Sequence, residues 1–341
     1  MTDKVDSETG RPLSIRDVAR IAGVSRQTVS RVLNGERYIK PSTEEHVRKV
    51  IEELAWRPNS AARALATSRF KAIGLLVSAR SHYGPFSAAA AVDEAARARG
   101  YAIVSATLAH EDEASLTEAL DAFLAQGVDG VVVIAPQQRA HEALRKVSIR
   151  VPFISLQWPD TPGDRAVAFD QREGARLATR HLIELGHTRI VHVAGPQDWN
   201  EAEERMRGYL DEMSARDLPT TPPVLGDWTA DTGYDLGMKL LRSREFTAVF
   251  ASNDQMALGL MHAAAELALS VPDDLSIVGF DDIPEAKHFA PPLTTVRQDF
   301  AQLGARAIER LIAAIEGSTL IPVDDFGAPE LIVRKSTVAP A

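Results

Sequence analysis

The chain has 341 residues, of which 45% are hydrophobic and 25% charged, and it contains no cysteine. This composition is typical of a globular protein with about two or three domains, and it excludes disordered chains, disulfide frameworks, cysteine nucleophiles and thiolate metal sites. No apolar run approaches the ~20 residues that cross a bilayer, and the polar N-terminus lacks the apolar core of a secretory signal. The sequence therefore predicts a soluble cytoplasmic protein without a membrane partner.

The net charge of −9 conceals a basic segment near the N-terminus. Residues 11–71 hold thirteen Lys and Arg against six Asp and Glu, whereas the whole chain holds 38 against 47. A basic head on an acidic body indicates that the two parts of the chain bind different partners.

The basic segment begins with the pattern of three short helices. Ser14 is a helix cap, Gly23 can take the left-handed conformation that ends a helix, and Ser25 can cap the next one. A third helix opens at Pro41. Two short helices joined by a glycine-containing turn and braced by a third are typical of a helix-turn-helix.

The second of these helices has the side chains of a recognition helix. Its valines and leucine are predicted to face inward, which leaves Arg26, Gln27, Ser30 and Arg31 outside. Arginine pairs with guanine, glutamine with adenine, and serine with bases or phosphates, so this face suits the major groove. The alternative is a small helical subdomain with a solvated polar face.

A short helix is predicted after the third helix. Pro58 breaks the preceding segment and Asn59 can cap a helix of about two turns, which is marginally stable alone. Arg63 suits a phosphate, and Leu65 is an apolar wedge for a minor-groove base step. The alternative is a linker helix whose leucine packs on the next domain.

From residue 72 onward, short apolar runs alternate with helical stretches. This pattern predicts parallel sheets covered by helices on both faces, and its extent predicts two α/β lobes. Ligands of such sheets bind at the carboxyl ends of the strands. The predicted strands are residues 72–77, 101–106, 131–134, 153–156, 189–194, 248–252 and 276–280.

Polar residues gather where these strands end. Ser78, Asn253 and Asp281 each follow a strand, and we interpret Arg205 and Trp228 as lying in loop-like or helix-entry segments. Asn253 alone would be a helix cap, and Trp228 alone a core residue. Together they can bind a sugar, because an indole covers the apolar face of the ring while arginine, aspartate and amides bond its hydroxyls.

Two further segments carry predictions. Residues 292–300 form an extended segment that could return between the lobes, and Asp282 is expected to cap a helix that begins at Ile283. The sequence contains no phosphate-binding glycine loop, no HExxH or GxSxG motif and no histidine spacing typical of a metal site. It therefore predicts a protein that is not an enzyme and has no catalytic residues, metal or cofactor.

Specific motifs resemble the LacI/GalR family of transcriptional repressors over nearly the whole chain. The head and hinge of that family are matched by residues 17–19, 22–25, 28–32, 34, 57–59 and 62–65, and its sensor by residues 253–259, 278–282 and 291–300. The triplet at 226–228 matches a narrower subgroup. The resemblance implies an N-terminal all-α helix-turn-helix head plus an α/β periplasmic-binding-protein-like sensor of two doubly wound parallel-sheet lobes.

The resemblance also implies domain boundaries. Residues 1–12 would be a disordered tail, 13–58 the helix-turn-helix domain and 59–71 the hinge helix and linker. The N-terminal sensor lobe would comprise residues 72–170 plus 300–327, and the C-terminal lobe residues 171–299 plus 328–341.

Site residues follow from the matched positions. The DNA-binding set is Ser14, Ser25, Arg26, Gln27, Ser30, Arg31, Asn34, Tyr38, Asn59, Ala62, Arg63 and Leu65. The effector-binding set is Ser78, Gln157, Arg205, Trp228, Asn253, Asp281, Gln298 and Phe300. Arg26 and Gln157 depart from the subgroup, which has an aromatic residue and an aspartate there, so neither its operator sequence nor its galactoside preference can be transferred.

The function implied is repression from a pseudo-palindromic double-stranded operator by a homodimer, relieved by a small sugar or glycoside between the lobes. A dimer is expected because the final residues lack a heptad tail. Two alternatives remain: a corepressor-responsive member with an effector such as a purine, and, less favoured, an α/β enzyme with an accessory DNA-binding head.

Overall fold

A computed structural model describes residues 13–33, 39–56, 69–78, 81–156, 165–242, 245–318 and 329–340. The chain divides into two compact units, residues 1–70 and 71–341. In the ranges described, no helix combines the length and the apolar character needed to span a membrane. The domain boundaries given above stay predictions.

The first unit contains three helices in its described residues: α1 (Ile15–Ile21), α2 (Arg26–Leu33) and α3 (Pro41–Glu53). Apolar residues at helical spacing turn one face of each helix inward, which closes a small core. The indole of Trp56 completes this core and donates from Nε1 to the Leu13 carbonyl at 2.7 Å. The buried members are Val18, Ala19, Ala22, Val29, Val32, Val47, Val50 and Trp56.

The turn between α1 and α2 has the predicted chemistry. Gly23 has a φ of 64°, a conformation that costs little only for glycine, and the following amide of Val24 bonds back to the Ala19 carbonyl at 3.0 Å. Ser25 Oγ accepts from the Thr28 amide at 3.0 Å and caps α2. These bonds set the angle between the two helices of the helix-turn-helix.

The first lobe of the second unit is a parallel sheet in the order β2-β1-β3-β4-β5. Helices cover both of its faces, because its strands are almost continuously apolar. The elements are β1 (Ala72–Val77), α4 (Tyr83–Ala98), β2 (Ala102–Thr107), α5 (Glu113–Ala125), β3 (Gly130–Ile134), α6 (Gln138–Lys146), β4 (Phe153–Leu156) and β5 (Ala166–Val167).

The second lobe is a sheet in the order β11-β10-β9-β8-β6-β7, parallel except for the β10–β11 pair. Two apolar clusters fill its two faces. The elements are α7 (Gln171–Glu184), β6 (Ile190–Ala194), α8 (Asn200–Ser214), β7 (Val224–Leu225), α9 (Ala230–Leu240), β8 (Ala248–Ala251), α10 (Asp254–Glu266), β9 (Ser276–Asp281), β10 (Thr294–Arg297) and β11 (Glu330–Ile332).

The chain returns to the first lobe through its last helix, α11 (Phe300–Glu316). Strand β10 pairs with β9 in the second sheet, whereas Phe300, Leu303 and Leu311 lie in the apolar core of the first lobe. The extended segment therefore passes between the lobes as predicted.

A second connection joins the lobes through backbone hydrogen bonds. Gln138 N donates to the Asp198 carbonyl at 2.8 Å, and Asn200 N donates to the Pro136 carbonyl at 3.2 Å. Gln137 and Trp199 form an antiparallel bridge between them. This contact lies at the carboxyl ends of β3 and β6, where the two sheets face each other.

All seven predicted strands are present, each within one residue of its predicted bounds. An eighth strand, β10, lies inside the predicted extended segment 292–300. The structure adds β5, β7 and β11, which have only two or three residues each and are too short to give a periodic pattern.

Candidate functional site

A cavity of about 260 Å³ opens between the two lobes, at the carboxyl ends of their strands. The first lobe contributes the start of α4 and the residues just before it, and the second lobe contributes the segments that follow β6, β7, β8, β9 and β10. The lining residues are Ser81, His82, Tyr83, Gly84, Pro85, Trp199, Glu201, Arg205, Trp228, Thr229, Asn253, Gln255, Asp281 and Gln298.

A buried ion pair lies at the base of this cavity. Arg205, in the second turn of α8, approaches Asp281 with NH2 3.3 Å from Oδ1, and both side chains are about 95% buried. Its Nε donates to Gln171 Oε1 at 2.9 Å and its NH1 donates to the Ser252 carbonyl. The guanidinium also lies 3.8 Å above the ring of Phe280. The position of Arg205 within a helix corrects its interpretation as a loop-like or helix-entry residue.

Burial and the ion pair act on these groups in opposite directions. Burial raises the pKa of Asp281 to about 6 despite the nearby Arg205 guanidinium, which favours the carboxylate. Burial likewise lowers the pKa of Arg205 from its usual value, while Asp281 raises it. Each partner thus offsets part of the cost of burying the other's charge.

Gln298 extends the network from the ion pair. Its Nε2 donates to Asp281 Oδ1 at 2.6 Å, and its Oε1 accepts from Gln171 Nε2 at 2.9 Å. Because Gln171 also binds Arg205, the four side chains form a closed ring of hydrogen bonds. Such a ring fixes the orientation of each polar group before any ligand enters.

Asn253 has two structural roles at the cavity wall. Its Oδ1 accepts from the Met256 amide at 2.9 Å, which caps α10, and its Nδ2 donates to the Trp228 carbonyl at 2.9 Å. The helix-cap interpretation of Asn253 is thus confirmed, and the same side chain holds the backbone of Trp228 in place.

Trp228 and Asp281 both occupy a strained backbone conformation. Trp228 has a φ of 76° and Asp281 a φ of 107°, a region that side-chain-bearing residues rarely adopt. Strain of this kind persists only where the surroundings over-determine it, and it concentrates at functional sites. The Trp228 ring packs at 60° to that of Trp199, with centroids 5.6 Å apart, so two indoles form one side of the cavity.

Sequence reasoning missed Glu201 and Trp199. Glu201 lies one helical turn before Arg205 on α8, is 4% exposed, and has its pKa raised to about 7 by burial. A spacing of four residues puts two side chains on the same helix face, so a helical assignment for Arg205 would have found Glu201. Trp199 precedes the same helix and stacks edge-on with His82 at 5.0 Å.

Two predicted effector residues lie outside the cavity lining. Ser78 is buried and donates from Oγ to Gln137 Oε1 at 2.6 Å. Phe300 packs edge-on against Phe169 and Tyr83, at 5.5 and 5.8 Å between centroids. Both residues support the wall indirectly, and Gln157 lies outside the described residues.

Asp282 does not cap a helix, contrary to the sequence interpretation. Its carboxylate accepts from Arg297 Nε at 2.8 Å and from Arg334 NH2 at 2.6 Å. Two arginines from β10 and the C-terminal segment outcompete a local cap, since ionised partners bond more strongly than a backbone amide.

The predicted reading face of α2 is polar and open to solvent. Arg26, Gln27 and Arg31 are exposed and Ser30 is half-buried, while the opposite face packs on α1 and α3. Ser14 bonds to Asp17 at 2.6 Å in the cap of α1. The predicted contacts Asn34, Tyr38, Asn59, Ala62, Arg63 and Leu65 lie outside the described residues.

Among the residues that the structure describes, no group of three or more His, Asp or Glu is placed to hold a metal ion.

A helix-turn-helix followed by a two-lobed sensor with a polar cavity defines a ligand-responsive transcription regulator. Family comparisons agree with this class: residues 14–59 match the bacterial regulatory proteins of the lacI family, and residues 179–337 match the periplasmic binding protein-like domain. The chain belongs to the LacI family, and it is a DNA-binding transcriptional repressor of that family.

Individual relatives match almost the whole chain. The lactose operon repressor of Escherichia coli (strain K12) is 33% identical over 97% of this chain and 92% of its own. The HTH-type transcriptional repressor PurR of Actinobacillus pleuropneumoniae serotype 3 (strain JL03) is 33% identical over 95% of this chain and 98% of its own. A crystal structure of the lac repressor dimer bound to operator and the anti-inducer ONPF has a TM-score of 0.81 and 33% identity, covering 96% of this chain and all of that one.

Proposed function

We propose that the chain binds a pseudo-palindromic operator as a homodimer and that a small sugar or glycoside, bound between the lobes, relieves this binding. The cavity carries the proposal. It combines an indole wall at Trp228 with ionised Arg205 and Asp281, which are the groups that cover the C–H face of a sugar and bond its hydroxyls.

The coupling between the two sites is thermodynamic. The sugar lowers operator affinity only to the extent that it prefers the conformation that cannot bind operator over the conformation that can. The cavity is suited to this coupling because residues from both lobes line it, so its shape depends on how the lobes are arranged.

A homodimer follows from the symmetry of the proposed operator. Two heads related by a two-fold axis match the two halves of a palindrome. The crystal structure of the lac repressor, in which a dimer is bound to operator, supports this proposal. Sedimentation of the purified protein tests it, with a dimer as the expected result and exclusive tetramers as the contradicting one.

A corepressor-responsive regulator is the second candidate. The lactose operon repressor and PurR are equally similar to this chain, so overall identity favours neither type of response. The decisive experiment selects an operator from a random duplex library and measures its gel shift with sugars and with purines. Release by a sugar supports induction, whereas a purine that strengthens retention overturns it.

A further inference from the structure

The amide groups of the cavity wall are already engaged by the protein. Asn253 bonds Met256 and Trp228, and Gln298 bonds Asp281 and Gln171. Three of the five N–H groups of Arg205 are bonded to protein oxygens as well. Only part of the hydrogen-bonding capacity of these side chains therefore remains for a ligand.

Two polar atoms on this wall stand apart from the network. Glu201 Oε2 and Trp228 Nε1 are both buried, and neither has a hydrogen-bond partner among the described residues. Both side chains are more than nine-tenths buried and line the cavity. Since buried polar atoms are nearly always bonded in native proteins, these two point to a partner that enters from outside.

We propose that Glu201 contacts the effector as a neutral carboxyl group and selects an uncharged polyhydroxylated ligand over a cationic one. This inference rests on the proposed function, and it names a specificity-determining residue within the same cavity.

The charges around Glu201 favour its neutral form. Arg205 is the guanidinium nearest to it in the cavity, and that charge is already balanced by Asp281 at 3.3 Å. An ionised Glu201 would add a buried negative charge without its own counter-ion, which is costly. Burial accordingly raises the pKa of Glu201 to about 7, with Arg205 lowering it and Asp281 raising it.

The two atoms also define what the ligand must offer. A neutral carboxyl group donates and accepts, and an indole N–H only donates. A hydroxyl group does both, so a polyhydroxylated ligand carries the groups that both atoms require. An ammonium group has no lone pair to accept from the indole, and it would be held well only by an ionised Glu201.

The experiment is calorimetric titration of the full-length protein and of Glu201→Gln, Glu201→Ala and Glu204→Gln. The probes are cellobiose and lactose, which present a glucoside and a galactoside, and D-glucosamine, which carries an ammonium group. Glu204 serves as the matched control, because it lies on the same helix, outside the cavity lining, and bonds Arg207.

We expect the wild type to prefer a neutral sugar over glucosamine. Glu201→Gln, which keeps a donor and an acceptor, should bind that sugar within about threefold of the wild type, whereas Glu201→Ala should lose about tenfold or more. Glu204→Gln should match the wild type. If Glu201→Ala fails to fold, Glu201→Asp withdraws the carboxyl group by one methylene and should show a similar loss.

Other outcomes overturn the inference. If the alanine variant, or the aspartate variant in its place, binds the sugar like the wild type, Glu201 makes no contact. A loss in Glu201→Gln as large as in Glu201→Ala, with glucosamine preferred by the wild type, would show an ionised Glu201 that selects a cation. If the wild type binds none of these sugars, that result contradicts the proposed function itself and therefore also this inference.

Discussion

Arg205 on α8 and Asp281 at the end of β9 form a buried ion pair that connects two elements of the second lobe. Removing one charge from such a pair leaves the other buried without a partner, which typically costs about 3–5 kcal/mol. Asp281→Asn keeps the size of the side chain and a residue type that tolerates positive φ. We expect it to lower the free energy of unfolding by about 3 kcal/mol in urea denaturation.

The control for this prediction lies on the same helix. Arg207 is half-exposed and pairs with Glu203 and Glu204 at the surface, so Arg207→Ala should change the free energy of unfolding by less than about 1 kcal/mol. Equal stabilities for Asp281→Asn and the wild type would mean that the buried pair contributes nothing to folding.

Trp228 is expected to separate ligand response from DNA affinity. Trp228→Ala removes the indole that covers the ligand, so the sugar should no longer release the operator, while operator affinity without sugar stays near that of the wild type. Trp228→Phe keeps an aromatic face and should retain part of the response. Gel-shift titrations measure both quantities, and an unchanged dose response in the alanine variant would contradict the stacking role.

Arg26 and Gln27 are expected to read bases rather than phosphates. Each alanine substitution should cost about 1–3 kcal/mol on the selected operator and far less on random duplex, measured by fluorescence anisotropy. Arg48→Ala is the control, because Arg48 lies on α3 and bonds Glu44 at 2.9 Å. A uniform loss on both duplexes would assign these side chains to the DNA backbone.

His192 is expected to contribute less to the stability of the folded protein as the pH falls. It stacks between Tyr209 and Phe250, and burial lowers its pKa to about 4 from 6.5. Above pH 6.5 the imidazole is neutral in both states. Between pH 6.5 and 4 only the unfolded chain protonates this imidazole, so His192 by itself lowers the free energy of unfolding by up to ~3 kcal/mol. The raised pKa values of Glu201 and Asp281 act in the opposite direction, so the effect of His192 is measured as a difference from a variant.

Comparison with a variant isolates the effect of His192. His192→Phe keeps an aromatic ring in the stack and should show a weaker loss of stability between pH 6.5 and 4 in denaturant titrations. His262→Gln, at an exposed position on α10, should follow the wild-type curve. If wild type and His192→Phe have parallel pH profiles, His192 does not contribute to the acid sensitivity.

The two-lobed α/β fold could be predicted from the sequence because its main strands are uninterrupted apolar runs. Residues 130–134 and 190–194 are fully buried on both faces of their sheets, and such runs stand out between amphipathic helices. The short strands β5 and β7 are defined by pairing with distant neighbours, which a local pattern does not contain.

The residues of the candidate site could be predicted from the sequence only in part. Asp281 and Asn253 follow strands, so the rule of strand ends places them at the cavity. Glu201 lies inside a helix and looks like any acidic surface residue until the tertiary fold buries it. Phe300 is close to Gln298 in sequence, but the start of α11 turns it into the first-lobe core, outside the cavity lining.

The backbone bridge at Gln137 and Trp199 has a mechanical consequence. Separating the sheets at this edge breaks two backbone hydrogen bonds, from Gln138 N to Asp198 O and from Asn200 N to Pro136 O. Side-chain replacement leaves both intact, because main-chain atoms make them. Among single substitutions, only proline at position 138 or 200 removes one of these hydrogen bonds, because proline has no amide hydrogen. Other substitutions near Trp199 can therefore change the cavity wall while the lobes stay joined at this edge.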